Sequence, residues 1–119
     1  QRIFEVGDVV LLDEKEETKA RRETRVAAAT SWEKAGFTEI KAALNALLSS
    51  LGVEEWRLKE VEHPSFIEGR VGTVVVHGEK LGICGEVHPQ VIVNFELEMP
   101  VAIFEVKLDS LLRRFNKQS

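Results

Sequence analysis

From Arg70 to Pro89 the chain reads Arg-Val-Gly-Thr-Val-Val-Val-His-Gly-Glu-Lys-Leu-Gly-Ile-Cys-Gly-Glu-Val-His-Pro, and no other stretch constrains the fold so tightly. Val71 to Val76 is apolar and rich in β-branched residues, a composition that suits a pleated, half-buried or fully buried strand. His77-Gly78-Glu79-Lys80 follows as a polar turn, with a glycine free to take positive φ. Leu81 to Val87 returns as a second strand. Gly82 and Gly85 weaken its propensity and predict a bulge or a close backbone approach. Pro89 has no N–H to donate to a ladder, and its fixed φ suits the first turn of a short helix over Gln90 to Phe95. The centre is therefore strand, tight turn, strand, helix.

Around that centre the pattern alternates. Ile3 to Leu12 reads as a strand, with a bulge or kink at Gly7-Asp8. Asp13 to Arg25 is a run of nearly cancelling charges, which reads as a solvated loop or, more sharply, as a phosphate or tRNA contact through Arg21, Arg22 and Arg25. Val26 to Thr30 is undecided by local propensity, because its alanines favour helix and its neighbours a returning strand. Phe37 to Leu51 is a helix with Thr38 as N-cap and Glu39 at the positive end of the dipole. Ile40, Ala43, Leu44, Leu47, Leu48 and Leu51 form one apolar stripe, and Gly52 ends the helix. Trp56 and Leu58 alternate with Glu55, Arg57 and Lys59, a one-sided strand reaching Val61.

His63-Pro64-Ser65-Phe66 breaks the pattern as a turn, since proline restrains the residue before it. Met99-Pro100 opens a last strand, Val101 to Leu108, with Ala102, Phe104, Val106 and Leu108 on one face and Glu105 and Lys107 on the other. Asp109 serves as the N-cap of a closing helix through Phe115, with Arg113, Arg114 and Lys117 beyond it in keeping with the dipole. The sum is five or six mostly antiparallel strands and two or three helices, an α+β packing.

Chemistry-bearing patterns are scarce. The 119 residues make one domain by length, residues 1–119. The formal charge of −4 does not make a nucleic-acid grip. No run approaches a membrane span, no signal peptide is visible, and the single Cys84 makes no internal disulfide, which fits a reducing, cytoplasmic setting. His63, His77 and His88 lack metal-ligand spacing, and His63 and His88 each precede a proline, which suits a role in turns. Cys84 lies in an apolar strand with no basic neighbour, as a buried small side chain does. No phosphate-cradling glycine loop occurs, so the residues themselves offer no catalytic, cofactor-binding or metal site. The start at Gln1-Arg2-Ile3, directly into a strand, predicts a piece of a longer chain.

Taken together, Phe4-Glu5-Val6-Gly7-Asp8, the run from His63 to Arg70, and Gly82-Ile83-Cys84-Gly85-Glu86-Val87-His88-Pro89 with Pro100-Val101 beyond it resemble one family. It is the β subunit of phenylalanyl-tRNA synthetase in the archaeal and eukaryotic style. Each motif is modest, but their order and spacing cover nearly the whole chain. The resemblance implies an antiparallel β-sheet flanked by helices, folded like a class II aminoacyl-tRNA synthetase catalytic domain. It also implies that Val26 to Thr30 is a strand paired with Ile3 to Leu12.

Departures from the class II pattern set the functional expectation. A working domain has an ATP-holding arginine on the first hairpin strand, and Phe4-Glu5-Val6-Gly7 has none. It also has a glycine-rich strand leading into a helix with a second arginine. Here that strand is Val101-Ala102-Ile103-Phe104-Glu105-Val106-Lys107, whose valine, phenylalanine and glutamate side chains would fill the nucleotide's space. The resemblance therefore implies a non-catalytic structural and interaction module of phenylalanine–tRNA ligase. Its partner would be the α subunit in an α₂β₂ heterotetramer, with tRNA(Phe) met through the complex and ATP and magnesium handled elsewhere in it. Two further readings stay open: a degenerate domain that still binds ATP or an amino acid, and a tRNA-contacting element built on Arg21, Arg22 and Arg25.

Overall fold

Among the described residues six strands form a single antiparallel sheet: β1 (Arg2–Leu12), β2 (Ala20–Ser31), β3 (Arg57–Glu60), β4 (Phe66–Val76), β5 (Glu79–Val87) and β6 (Val101–Lys107). Their spatial order is β1-β2-β6-β5-β4-β3. Among the same residues two helices accompany them, α1 (Phe37–Ser50) and α2 (Pro89–Asn94). The computed structural model describes residues 2–12, 20–31, 35–109 and 111–112, with the backbone alone for 2–12 and 20–23.

The central hairpin forms as its residues dictate. Val76 pairs with Glu79 across a two-residue turn in which His77 (φ 49) and Gly78 (φ 79) both have positive φ. This is the type I′ geometry, whose twist matches that of the flanking strands. The polar turn is thus shorter than the sequence suggests, because Glu79 and Lys80 already belong to β5. The register shifts between Val74 and Val75, so Leu81 stands as an extra residue, fully buried, immediately before Gly82. Both features anticipated for the glycine-bearing strand occur there, a bulge and a close approach. A Cβ built on Gly82 would lie 1.9 Å from the Glu105 carbonyl oxygen of β6.

Alanine propensity loses to pairing in β2. Val26 to Thr30 is strand, bonded on one side to β1 and on the other to β6. A run paired on both sides satisfies its N–H and C=O groups in the ladders, which outweighs a helix preference of a few tenths of a kcal/mol per alanine. The β1–β2 register runs without interruption from Arg2↔Thr30 to Leu12↔Ala20, so no bulge occurs at Gly7-Asp8. Part of the charge run also proves to be strand: Ala20 to Arg25 extends β2, and residues 13–19 lie outside the described residues.

Helix α1 starts one residue earlier than its expected cap. Gly36 is the N-cap with no side-chain bond, and Thr38 lies inside the first turn, exposed. Ile40, Leu44 and Leu48 are buried and pack with Val26, Ala28, Val74, Cys84, Ala102, Phe104 and Val106, forming the core on one sheet face. Burying each such side chain contributes roughly 1.5–3 kcal/mol. Leu47, Ala43 and Leu51 are only half-buried at the edge of that core. The helix ends in a paired backbone motif: Gly52 (φ 82) donates to Ser49 at 3.0 Å and Val53 donates to Leu48 at 2.8 Å. These are the two bonds of a Schellman cap with glycine at its left-handed position. The expected strand through Val61 is confined to Arg57–Glu60.

After β6 the backbone turns helical at Leu108 and Asp109 and again at Leu111 and Leu112, with Leu111 fully buried. Leu108 therefore belongs to the closing turn and does not continue the strand. Asp109 does not act as its N-cap. Its carboxylate accepts the Thr24 backbone N–H at 2.9 Å and ties the turn to β2. The remainder of the expected closing helix, with Arg113, Arg114 and Lys117, lies outside the described residues.

Candidate functional site

Cross-strand pairing sorts the sheet residues into two faces, since directly opposed residues share a side. Val26, Val106, Gly82, Val74 and Leu58 form one row on the α1 face, and Ala28, Phe104, Cys84 and Gly72 form the next. The opposite face carries the row Ala27, Glu105, Ile83, Thr73, and beside it Ala29, Ile103, Gly85, Val71. Among the described residues, the first of these two rows is half-buried throughout, so that part of the sheet lies open.

The open face is the side of β6 turned away from α1, and its chemistry can be read directly. Ala102, Phe104 and Val106 turn into the core, at 0–1% exposure. The expectation that valine, phenylalanine and glutamate side chains fill a nucleotide's space therefore needs correcting for Phe104 and Val106, whereas Val101, Ile103 and Glu105 share the face away from the core. Glu105 is not free. Its Oε1 accepts from Arg25 Nη1 at 2.6 Å, a diagonal contact across β2 and β6 with both side chains about a third exposed, at 32% and 40%. Beside the pair is a shallow hollow of about 260 Å³ that also touches Ile83 and Lys107. Of the three arginines proposed to meet tRNA, Arg25 thus has a carboxylate partner, and Arg21 and Arg22 lie on β2 with side chains outside the described residues.

A larger groove, about 560 Å³, runs between β2 and α1. Ala28, Ala29, Ala43, Ala46 and Leu47 line it, and its polar pair is Thr30 Oγ1 donating to Glu39 at 3.3 Å. Among the described residues it offers shape, apolar contact and this one hydroxyl–carboxylate pair. Sequence reading did not find it, because it exists only where a helix stripe and a strand edge diverge.

The histidines serve their turns. His63 Nδ1 accepts from the Ser65 N–H at 3.1 Å, and His88 Nδ1 accepts from the Gln90 N–H at 3.0 Å as the N-cap of α2. The two turns meet where the His88 N–H donates to the Ser65 carbonyl at 2.8 Å. His77 sits exposed at the hairpin tip. Burial pushes the Cys84 thiol up to about 12, against the opposing, lesser effect of the Lys41 charge. Glu86, nearly buried, pairs with Arg70 at 2.6 Å. Among the described residues no cluster of histidine, cysteine and carboxylate could hold a metal ion, and no helix is long and apolar enough to cross a membrane.

Residues 1–108 match the family described as the phenylalanyl tRNA synthetase beta chain CLM domain. The chain is 50% identical over 113 residues to the phenylalanine–tRNA ligase beta subunit of Thermococcus onnurineus, covering 95% of this chain and 20% of that one. Against the same subunit of Thermococcus sibiricus the identity is 48% over 119 residues, covering 100% and 20%. For Methanocaldococcus jannaschii it is 44% over 109 residues, covering 92% and 20%. The chain therefore spans about a fifth of the length of these relatives. Its backbone is similar to that of a pyrrolysyl-tRNA synthetase from Desulfitobacterium hafniense, with a TM-score of 0.73 at 16% identity over 93% of this chain and 40% of that one. At that identity the likeness is one of fold alone.

Proposed function

Because the chain belongs to the family of the phenylalanyl-tRNA synthetase β chain CLM domain, we propose that it is a non-catalytic structural module of phenylalanine–tRNA ligase. In this reading it supports, within a cytoplasmic α₂β₂ assembly, the α subunit that attaches phenylalanine to tRNA(Phe) using ATP. The module has the class II synthetase-like sheet without the chemistry of that sheet. The observation that carries the reading is the open face of β6. Ile103 and Glu105 stand where a nucleotide needs bare backbone, and the Arg25 guanidinium near them is engaged by Glu105. Adenylate formation needs fixed cations at the developing phosphate charge, because positioned electrostatics dominate such steps. An arginine already paired with a carboxylate on the same face does not fit that task, and the described residues of this face do not fit ATP and magnesium.

The test uses the assembled ligase. With Arg25→Ala or Glu105→Ala in the β subunit, phenylalanine-dependent pyrophosphate exchange is expected to continue at the parent rate. Calorimetric titration of the β subunit alone with ATP and magnesium is expected to give no saturable heat. Micromolar ATP binding by β alone, or exchange abolished by either substitution, would overturn the non-catalytic reading.

A further inference from the structure

The dipeptide His-Pro occurs twice, at 63–64 and 88–89, and the fold uses both in the same way. In each, the imidazole reaches past the proline to the backbone two residues on. His63 Nδ1 accepts from the Ser65 N–H at 3.1 Å, and His88 Nδ1 accepts from the Gln90 N–H at 3.0 Å. Proline has no N–H of its own, so the one after it is the first that each ring can satisfy. The two turns meet at the end of the β4–β5 hairpin remote from its His77-Gly78 tip. One leads into Phe66 and the other follows Val87, and Phe66 and Val87 form the terminal rung there. The His88 N–H, donating to the Ser65 carbonyl at 2.8 Å, fastens one turn to the other. The rings of His63 and Phe66 meet edge-on, with centroids 5.0 Å apart.

Little else holds this corner. Helix α2 has six residues and buries none of them, so its cap is a large share of what keeps it in place. The rung also lacks an unbroken ladder behind it. The next pair is Val71 with Gly85, so residues 67–70 stand opposite Glu86 alone. Among the described residues, the charged groups around the corner are Glu62 and Glu68, which line the hollow of His63, and Arg70 and Glu86, which hold each other at 2.6 Å.

We propose that His63 and His88 together form a proton-operated clasp on the open end of the β4–β5 hairpin. An imidazole accepts at Nδ1 only while it is neutral, with its proton on Nε2; the imidazolium is a donor at both nitrogens. Imidazoles take up that proton between about pH 8 and 5. Uptake cancels both bonds and sets two N–H groups against each other in each turn. The His63 imidazolium then turns to Glu62 or Glu68 across their shared hollow. With both turns undone, the rung of Phe66 and Val87 opens and α2 comes away from the sheet.

The experiment is hydrogen–deuterium exchange, read by mass spectrometry on the full-length subunit at pH 8 and pH 5, with each rate referred to that of the unstructured peptide at the same pH. Peptides covering 63–66 and 88–92 are expected to lose protection at least about fivefold at pH 5, while the hairpin tip, 74–81, keeps its own. In His63→Asn/His88→Asn the side-chain carbonyl accepts at both pH values, so the dependence on pH disappears. His77→Asn, at the exposed tip, retains it. Equal protection of the parent at the two pH values overturns the inference. So does a loss that persists in the double asparagine variant, which would assign it to another group. A loss spread through the tip would be general acid unfolding and overturns it equally, a result that the parent alone provides should the variant fail to fold.

Discussion

Substituting Gly82 with alanine tests whether the close approach of β5 to the β6 backbone is a structural requirement. The added Cβ would sit 1.9 Å from the Glu105 carbonyl oxygen and 2.8 Å from both Glu105 C and Val106 Cα. All three are backbone atoms of β6, so no side chain can rotate away. Restoring even a 3 Å contact moves the two strands apart by about 1 Å or more. A hydrogen bond of roughly 2.9 Å stretched that far no longer counts as one. With about two ladder bonds lost next to the buried core, and about 1–3 kcal/mol for each group left unsatisfied, the expected cost is about 2–6 kcal/mol. That is a large part of the stability of an ordinary domain, about 5–15 kcal/mol. Denaturant unfolding of the chain, followed by Trp56 fluorescence, measures it, since Trp56 is half-buried and donates to Asn45 at 2.8 Å. Gly85→Ala is the internal comparison. Its Cβ would meet the side chains of Phe66 at 2.7 Å and Val71 at 2.9 Å, which can yield, so it should cost about 1–3 kcal/mol. A Gly82→Ala cost below that of Gly85→Ala would refute the reasoning.

Three further outcomes follow from the same contacts. Leu48→Ala, at a fully buried position, is expected to cost about 2–5 kcal/mol, whereas Leu47→Ala at the groove edge should cost less than half as much; equal midpoints would mean the groove is filled. Glu96→Gly relieves a left-handed residue and should raise stability by about 0.5–1 kcal/mol in thermal unfolding, with any loss counting against strain at that position. Cys84 titrates near 12 in the folded chain and near its ordinary value of 9 when unfolded, so the unfolded state sheds the proton first. Stability is then unaffected by this group below pH 9 and falls between pH 9 and 12, a slope that Cys84→Ala removes; thiol labelling of the native chain should be correspondingly slow.

Several elements were legible because their causes are local. The valine run, the His77-Gly78 turn and the glycine-bearing return strand form a hairpin whose side chains and turn geometry agree. The α1 stripe, its Gly52 end and the Pro89 helix start are likewise set by neighbours within a turn or two. Where a second strand or helix had to choose between local options, the sequence reading was weaker. Thr38 and Asp109 both look like caps, yet Gly36 opens α1, and the Asp109 carboxylate is drawn to a backbone N–H 85 positions away.

By itself, then, the sequence determined the alternation of strands and helices, the hairpin at its centre and, through its resemblance to known synthetase β subunits, the family. Local propensity left the alanines of β2 undecided and the family resemblance implied a strand; the tertiary structure supplies the reason, because two flanking ladders claim their backbone groups at once. It also decided which residues of β6 meet the open face, since alternation defines two sides without saying which one a helix covers. The Arg25–Glu105 pair joins residues 80 positions apart, and the exposure of Phe95 and Leu97 depends on what fails to pack over them. Burial and long-range pairing belong to the whole arrangement of the chain, and a local pattern of apolar and polar residues does not contain them.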